Sequence, residues 1–269
     1  MRINSQELIQ SAANRGVRND KQIEKSLRHL GTGLKVATAA DDAAGKAISE
    51  TMRAQIRGIS QAQRNMQDGL SVLESANEGM NNVNGLLQRA RELAVSTANG
   101  TFTDEDRAAS GQELTQILAA VDDTATKLEF NTKKILGEDM ELTLHVGANP
   151  TQQLKVSLFD VSSKALGLEG ATLGTQEDAE KLISTLDSAI QKVSGHLTKV
   201  GSQMEALQHH LSNAGVFEVN LDKSLSLLED ADMAQEMMRF VSSDIRKKGD
   251  ELLIKHVNST LQESLGMMK

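Results

Sequence analysis

The stretch LISTLDSAIQKVSGHLTKVGSQMEALQHHLSNA, residues 182–214, decides the fold of this chain. Its apolar positions are Leu182, Leu186, Ile190, Val193, Leu197, Val200, Met204, Leu207, Leu211 and Ala214, stepping almost strictly by four and three. Such steps draw one apolar stripe along one helix face, and over more than four heptads they have the spacing of a coiled-coil seam. The helix is expected from about residue 176, with the stripe extended by Leu221, Leu225 and Leu228.

Upstream, a second stripe runs through Ile48, Met52, Ile56, Ile59, Met66, Leu70, Leu73, Met80, Val83, Leu87 and Ala94 and stops at Asn99-Gly100, a strong helix terminator. A continuous helix there would be about 75 Å long at ~1.5 Å per residue. Gly58, Gly69, Gly79 and Gly85 lie inside it, each costing about 1 kcal/mol relative to Ala. Packing must offset that cost, and the expectation is that glycine lets partner helices approach closely. Thr103, followed by Asp104, Glu105 and Asp106, supplies a cap and negative charge for a helix over 104–128. Leu114, Ile117, Leu118, Val121 and Leu128 face inward on it.

The period then changes. Leu142, Leu144 and Val146 alternate, as do Leu154, Val156 and Leu158, around Gly147-Ala148-Asn149-Pro150-Thr151. Two alternating runs about such a turn predict a β-hairpin near 141–159. At the N-terminal end, Ile23, Leu27, Leu30 and Leu34 keep helical spacing. At the C-terminal end Met233, Met237, Phe240, Val241, Ile245, Leu252, Val257, Leu261, Leu265 and Met268 do the same. Helices this short rarely fold alone, so the two end stripes need each other or further copies of the chain. The expected class is mainly α: long antiparallel helices forming a coiled-coil rod, one small β-hairpin, and termini that become helical on assembly.

Composition agrees. The 269 residues include 1 Pro, 0 Cys, 0 Trp, 0 Tyr and 5 Phe. One proline permits long unbroken helices. Without cysteine there is no disulfide, thiolate metal site or cysteine nucleophile. Aromatics at 2% leave few platforms for stacking bases, and a net charge of −8 lacks the basic footprint of a duplex binder. No apolar run approaches the ~18 residues of a membrane span, and no apolar stretch near Met1 reads as a secretory signal. The reading is therefore a soluble chain with no nucleic acid partner and no membrane insertion. Residues 1–36 are net basic and 226–269 mildly acidic, so the ends have charges that can pair.

No catalytic motif is present, neither a phosphate loop nor G-x-S-x-G nor H-E-x-x-H. Glu205 and His209 at i,i+4 make half a metal site and read as a solvated pair. Asp41-Asp42 and Asp122-Asp123 read as caps or solvated faces, and Lys247-Lys248 is too short for a nucleic-acid patch. Met233, Met237 and Met238 read as adaptable apolar packing rather than a cofactor box. No cofactor, metal or enzymatic activity is expected.

Leu34-Lys35-Val36-Ala37-Thr38-Ala39-Ala40-Asp41-Asp42-Ala43-Ala44-Gly45-Lys46-Ala47-Ile48 resembles the bacterial flagellin pattern S-S-G-x-R-I-N-x-A-x-D-D-A-A-G-x-A-I. Ile56-Arg57-Gly58-Ile59-Ser60-Gln61-Ala62-Gln63-Arg64-Asn65 is similar to its I-R-G-L-x-Q-A-x-R-N. Gln88-Arg89-Ala90-Arg91-Glu92-Leu93-Ala94-Val95 matches Q-R-x-R-E-L-A-V. Phe130-Asn131-Thr132 follows F-N-G with Thr for Gly, Val146-Gly147-Ala148-Asn149 matches V-G-A-N, and Ala165-Leu166-Gly167-Leu168 matches A-L-G-L. Glu229-Asp230-Ala231-Asp232-Met233-Ala234-Gln235-Glu236-Met237 resembles E-D-A-D-M-A-x-E-M. The resemblance runs in order along nearly the whole chain. The charged run Asp244-Ile245-Arg246-Lys247-Lys248-Gly249 departs from the family's Q-I-L-x-Q-A.

The resemblance implies a structural subunit that polymerises into the flagellar filament for motility. It implies terminal D0 segments over 1–36 and 230–269, and a D1 body over 37–229. Packing within D0 would fall to Ile23, Leu27, Leu30, Leu34, Val257, Leu261 and Leu265. Residues 160–178 leave no room for outer or enzymatic domains. Expected partners are further copies of the chain, the flagellar type III export apparatus and its chaperone, and the hook-associated and cap proteins. The expected location is an extracellular filament, or a periplasmic one in a spirochaete. The Q-R-x-R-E stretch is also where the animal flagellin-sensing Toll-like receptor contacts flagellins. By motif match Gln88, Arg89, Arg91, Glu92 and Leu93, with Glu113, would carry that contact, assembly being their main role. A minor or specialised flagellin, or a hook–filament junction protein, is the alternative.

Overall fold

The computed structural model describes residues 2–266, except the side chains of residues 2–5, 261 and 264–266. The described elements are α1 (Arg2–Thr32), α2 (Ala43–Thr97), α3 (Asp104–Lys127), β1 (Glu129–Phe130), β2 (Lys133–Lys134), β3 (Met140–His145), β4 (Gln153–Leu158), α4 (Ser163–Leu166), α5 (Gln176–Glu229) and α6 (Met233–Gly266). The chain divides into two compact units. One joins the chain up to Gln55 with the chain from Val219, and the other is Ile56–Glu218.

In the second unit the heptad rhythm becomes packing. Met66, Leu73, Met80 and Leu87 of α2 are buried, and so are Leu186, Val193, Val200 and Leu207 of α5. Within each helix these side chains stand every seventh residue, the repeat that keeps one face turned toward a neighbour. Both sets belong to one apolar cluster, which Leu114 and Val121 of α3 complete. Gln63 donates to Glu218 at 2.8 Å, and Arg91 donates to Asp187 at 2.5 Å. These links pair early α2 with late α5 and late α2 with early α5, so the two helices run antiparallel.

Local chemistry sets the helix ends. Thr103 caps α3 as expected, and Asp106 extends the cap into a capping box, each side chain bonding to the other's backbone N–H. Arg107, buried one turn further, donates to the carbonyls of Thr97 and of Asn99 (3.0 Å for the latter). It thereby satisfies the carbonyl end of α2, where a cation is favoured. Asp42 accepts from the Ala44 N–H at 3.1 Å and starts α2, while Asp122 accepts from the Ser163 N–H and hydroxyl at 2.8 and 2.7 Å.

β3 and β4 pair antiparallel, with Met140 opposite Leu158 and His145 opposite Gln153, as the alternation predicts. Two glycines of α2, Gly58 and Gly69, lie against this hairpin rather than against a neighbouring helix. A Cβ on Gly58 would stand 2.7 Å from the Ala148 Cβ, and one on Gly69 would overlap Leu144. One on Gly79 would stand 2.6 Å from methyls of Leu128 and Leu136, whereas Gly85 has no such neighbour within 4 Å. The alternating pattern announced the hairpin, but nothing local says which helix it will lie on. A second hairpin, β1–β2, turns through Asn131 (φ 49°) and Thr132 (φ 66°).

Candidate assembly surface

In the first unit α1 and α6 pack side by side. Arg15 donates to Asp250 at 3.0 Å and Asn19 to the same carboxylate at 3.3 Å. Lys247 lies 2.8 Å from Asp20, and His29 Nδ1 lies 3.3 Å from Glu236 Oε1. The contacts descend on one helix as they climb on the other, so the pair is antiparallel. The basic N-terminal and acidic C-terminal segments do meet, but Lys247–Asp20 runs opposite to that net bias.

Two buried polar clusters join the ends. In the first, Leu34 bridges Asp230, the Lys35 N–H donates to the Glu229 carbonyl at 2.6 Å, and the Ala231 N–H donates to the Gly33 carbonyl at 2.9 Å. Gly33 takes φ 73° to make that turn after α1, a region that suits glycine. The Glu229 side chain is 1% exposed and accepts from Arg53, with Lys46 Nζ 3.5 Å away. Burial pushes its carboxyl up. Hydrogen bonds from Arg53 and Ser49 and the charges of Arg53 and Lys46 outweigh that and hold it below the ordinary value.

In the second cluster His29 sits between Glu236 and Asp41, with Nε2 3.9 Å from Asp41. Ser26 donates to Glu236 at 3.1 Å and Arg239 at 2.8 Å. Burial raises the Glu236 carboxyl, and His29, Ser26 and Arg239 together bring it below the usual range. Burial likewise opposes ionisation of Asp41, but the Thr38 hydrogen bonds, Lys25 and His29 lower it overall. A hydropathy stripe misses all of this. The sequence does name these residues, in the motifs D-D-A-A-G and E-D-A-D-M-A-x-E-M, but not that the two motifs meet.

The hydropathy stripe places differently. Ile23, Leu30, Leu34 and Val257 are half-buried, and Leu27 is 51% exposed. The side chains of Leu261 and Leu265 lie outside the described residues. Leu8, Val17 and Leu27 of α1 stand open, as do Met233, Met237, Met238, Val241, Ile245 and Leu252 of α6. Single exposed apolar side chains are ordinary, but a row of them along one helix marks a surface that something else covers.

On α2, Gln88, Arg89, Arg91 and Glu92 are exposed, and Leu93 is buried at 8% exposure. Arg89 reaches Glu113 of α3 at 2.8 Å and Glu92 at 3.1 Å, so those three come together. Arg91 turns to Asp187 of α5 instead. Glu205 and His209 approach to 3.8 Å on an open face. Among the described residues no group of three or more His, Asp or Glu is placed to hold a metal, and no helix is long and apolar enough to cross a membrane.

Comparison with known proteins agrees with the resemblance. The bacterial flagellin N-terminal helical region matches residues 3–140, and the bacterial flagellin C-terminal helical region matches residues 183–266. A flagellin of Halalkalibacterium halodurans is 34% identical over 254 residues, covering 93% of each chain. The flagellar filament 30.7 kDa core protein of Treponema maltophilum is 31% identical over 271 residues, covering 94% of each. The crystal structure of Bacillus cereus flagellin, 31% identical, superposes with a TM-score of 0.50 over 56% of this chain and 88% of that one.

Proposed function

The chain belongs to the bacterial flagellin family, structural subunits of the flagellar filament, and from that premise we propose which parts of it make the polymer. The terminal segments 1–36 and 230–269 act as the D0 contact layer, and 37–229 acts as the D1 body. The observation that carries this reading is the row of open apolar side chains on α6, Met233 to Leu252, with Leu8, Val17 and Leu27 open on α1. At about 25 cal/mol per Å² of apolar area removed from water, covering such a face favours association. Neighbouring copies of the chain are its occupant. Ile23, Leu30, Leu34 and Val257, all half-buried, hold the α1–α6 pair together.

The polymer is extracellular, reached through the flagellar export apparatus with its chaperone, and it contacts the hook-associated and cap proteins at its ends. In a spirochaete the same filament is periplasmic. The antiparallel α2–α5 seam supports reading the body as a coiled coil. Gln88, Arg89, Arg91, Glu92 and Glu113 form an exposed polar patch of that body, with Arg89, Glu92 and Glu113 on the α3 side and Arg91 on the α5 side, whose main role is contact with neighbouring copies. The same face would meet the animal flagellin-sensing Toll-like receptor when subunits are released. Leu93 contributes from beneath.

The test is polymerisation of purified subunits on filament seeds, followed by electron microscopy. Full-length chain is expected to elongate the seeds. Chains lacking 1–36 or 230–269 are expected to stay monomeric. Filaments grown from either truncated chain would overturn the assignment of the contact layer.

A further inference from the structure

Methionine is unevenly placed in this chain. Met66 and Met80 are fully buried in the α2 seam, and Met52, Met140 and Met204 are half-buried. Met233, Met237 and Met238 stand 48%, 52% and 66% exposed, all within the first two turns of α6. Met237 and Met238 line a shallow groove with Val241, Ser242, Ile245 and Arg246, every wall of which is α6 itself. Helix spacing puts Met233 and Met237 at i,i+4, so their sulfurs occupy one stripe.

We infer that Met233, Met237 and Met238 form a reversible oxidation site that controls whether this face of α6 can be buried. The oxidant is a two-electron peroxide, either hydrogen peroxide or an organic hydroperoxide. A thioether sulfur lone pair attacks the terminal peroxide oxygen, a sulfur–oxygen bond forms, and the O–O bond breaks. The leaving hydroxide or alkoxide takes the proton from the oxygen now bound to sulfur, which leaves a neutral sulfoxide, and departs as water or an alcohol. Sulfur is oxidised by two electrons and the peroxide is reduced by two.

The product has a different character. A thioether is apolar and adapts to its neighbours, whereas a sulfoxide is a polar hydrogen-bond acceptor. Burying that acceptor without a donor costs free energy that the apolar groove cannot return. Ser242 and Arg246 are the donor side chains lining the groove, both on α6 itself, and Met233 lies outside that lining, so a sulfoxide at Met233 has no donor there. Buried Met66 and Met80 are shielded from peroxide and serve as internal controls. The assembly half of the inference rests on the reading of α6 as a subunit contact.

The experiment treats full-length monomer with dilute hydrogen peroxide, maps added oxygen by peptide mass spectrometry, and measures the critical concentration for seeded polymerisation. Met233, Met237 and Met238 are expected to gain oxygen first, with Met66 and Met80 unchanged. The critical concentration should rise by roughly tenfold or more, and methionine sulfoxide reductase should restore it. The critical concentration of the triple variant M233L/M237L/M238L, compared with its own untreated value, should not change after peroxide. The variant M267L/M268L, which retains the α6 cluster, should remain sensitive.

Equal oxidation of Met66 and Met80 overturns the inference, and so does sensitivity that persists in the triple variant. Selective oxidation without loss of polymerisation, while the chain lacking 230–269 fails to polymerise, shows that this part of α6 is no switch. If that truncated chain does polymerise, the subunit-contact reading has failed, and the assembly half of the inference falls with it.

Discussion

At the scale of single residues, Thr132 occupies a left-handed position (φ 66°) in the β1–β2 turn, where the family pattern F-N-G has glycine. A β-branched residue is strained there. Thr132→Gly should therefore raise unfolding free energy by about 0.5–1 kcal/mol, glycine's greater unfolded-state freedom offsetting part of the relief. Urea unfolding followed by far-UV circular dichroism gives the answer, and an unchanged or lower midpoint would contradict the strain. Glu229 makes the opposite case. It is buried against Arg53 and Lys46, which keep partial access to water. Glu229→Gln should cost about 1–3 kcal/mol, toward the low end because both cations can turn to solvent. The same partners give a pH dependence. Glu229, Glu236 and Asp41 all have folded-state values below their ordinary ones. Each stabilises the folded unit fully above its unfolded value, near pH 4, and loses that contribution as pH falls through the lower folded value. Acid titration of the α1–α6 unit should show stability falling below about pH 4, less steeply in Glu229→Gln. These positions were named in the sequence motifs, but their pairing was not, because a motif states residue identity and not which distant motif will fold against it.

At the scale of elements, α2 shows how one residue type takes opposite meanings. Gly85 has open space where a side chain would go, so Gly85→Ala should gain about 1 kcal/mol of helix propensity. Gly58 faces the backbone of Ala148 in the β3–β4 loop: a Cβ added there would stand 3.1 Å from the Ala148 Cα, and a backbone cannot step aside. Gly58→Ala should therefore lose more from crowding, about 1–3 kcal/mol, than it gains from propensity. Thermal melts should rank Gly85→Ala above the parent and Gly58→Ala below it, and the reverse order would refute the hairpin contact. Helix existence, the cap at Thr103 and the two strands of the hairpin were legible because they depend on neighbours a few residues away. The docking of the hairpin on α2 was not, since period-two alternation identifies a strand's buried face without identifying what buries it. Arg107, which closes the carbonyl end of α2, was missed for a related reason. Its partners at Thr97 and Asn99 lie across a turn whose geometry only the folded chain defines.

At the scale of the whole molecule, each unit buries its own seam, and the first leaves a row of apolar side chains open along α6. Truncation of either end should abolish polymerisation while leaving unit 56–218 folded, because that unit's core draws on neither α1 nor α6. Residual helix in the truncated chain, read by circular dichroism, checks the second half of that expectation. By itself the sequence determined the helical class, the antiparallel out-and-back order, the hairpin and the family, all of which follow from periodicity, terminators and motif order. Only the tertiary structure decided that glycines of α2 seat a hairpin and that the chain ends are joined by buried carboxylates as well as leucines. It also decided which methionines are sealed and which are open. The physical reason is that periodicity records how often a face recurs along one element. Burial, charge pairing and oxidant access depend on which faces meet, and that is a property of the whole fold.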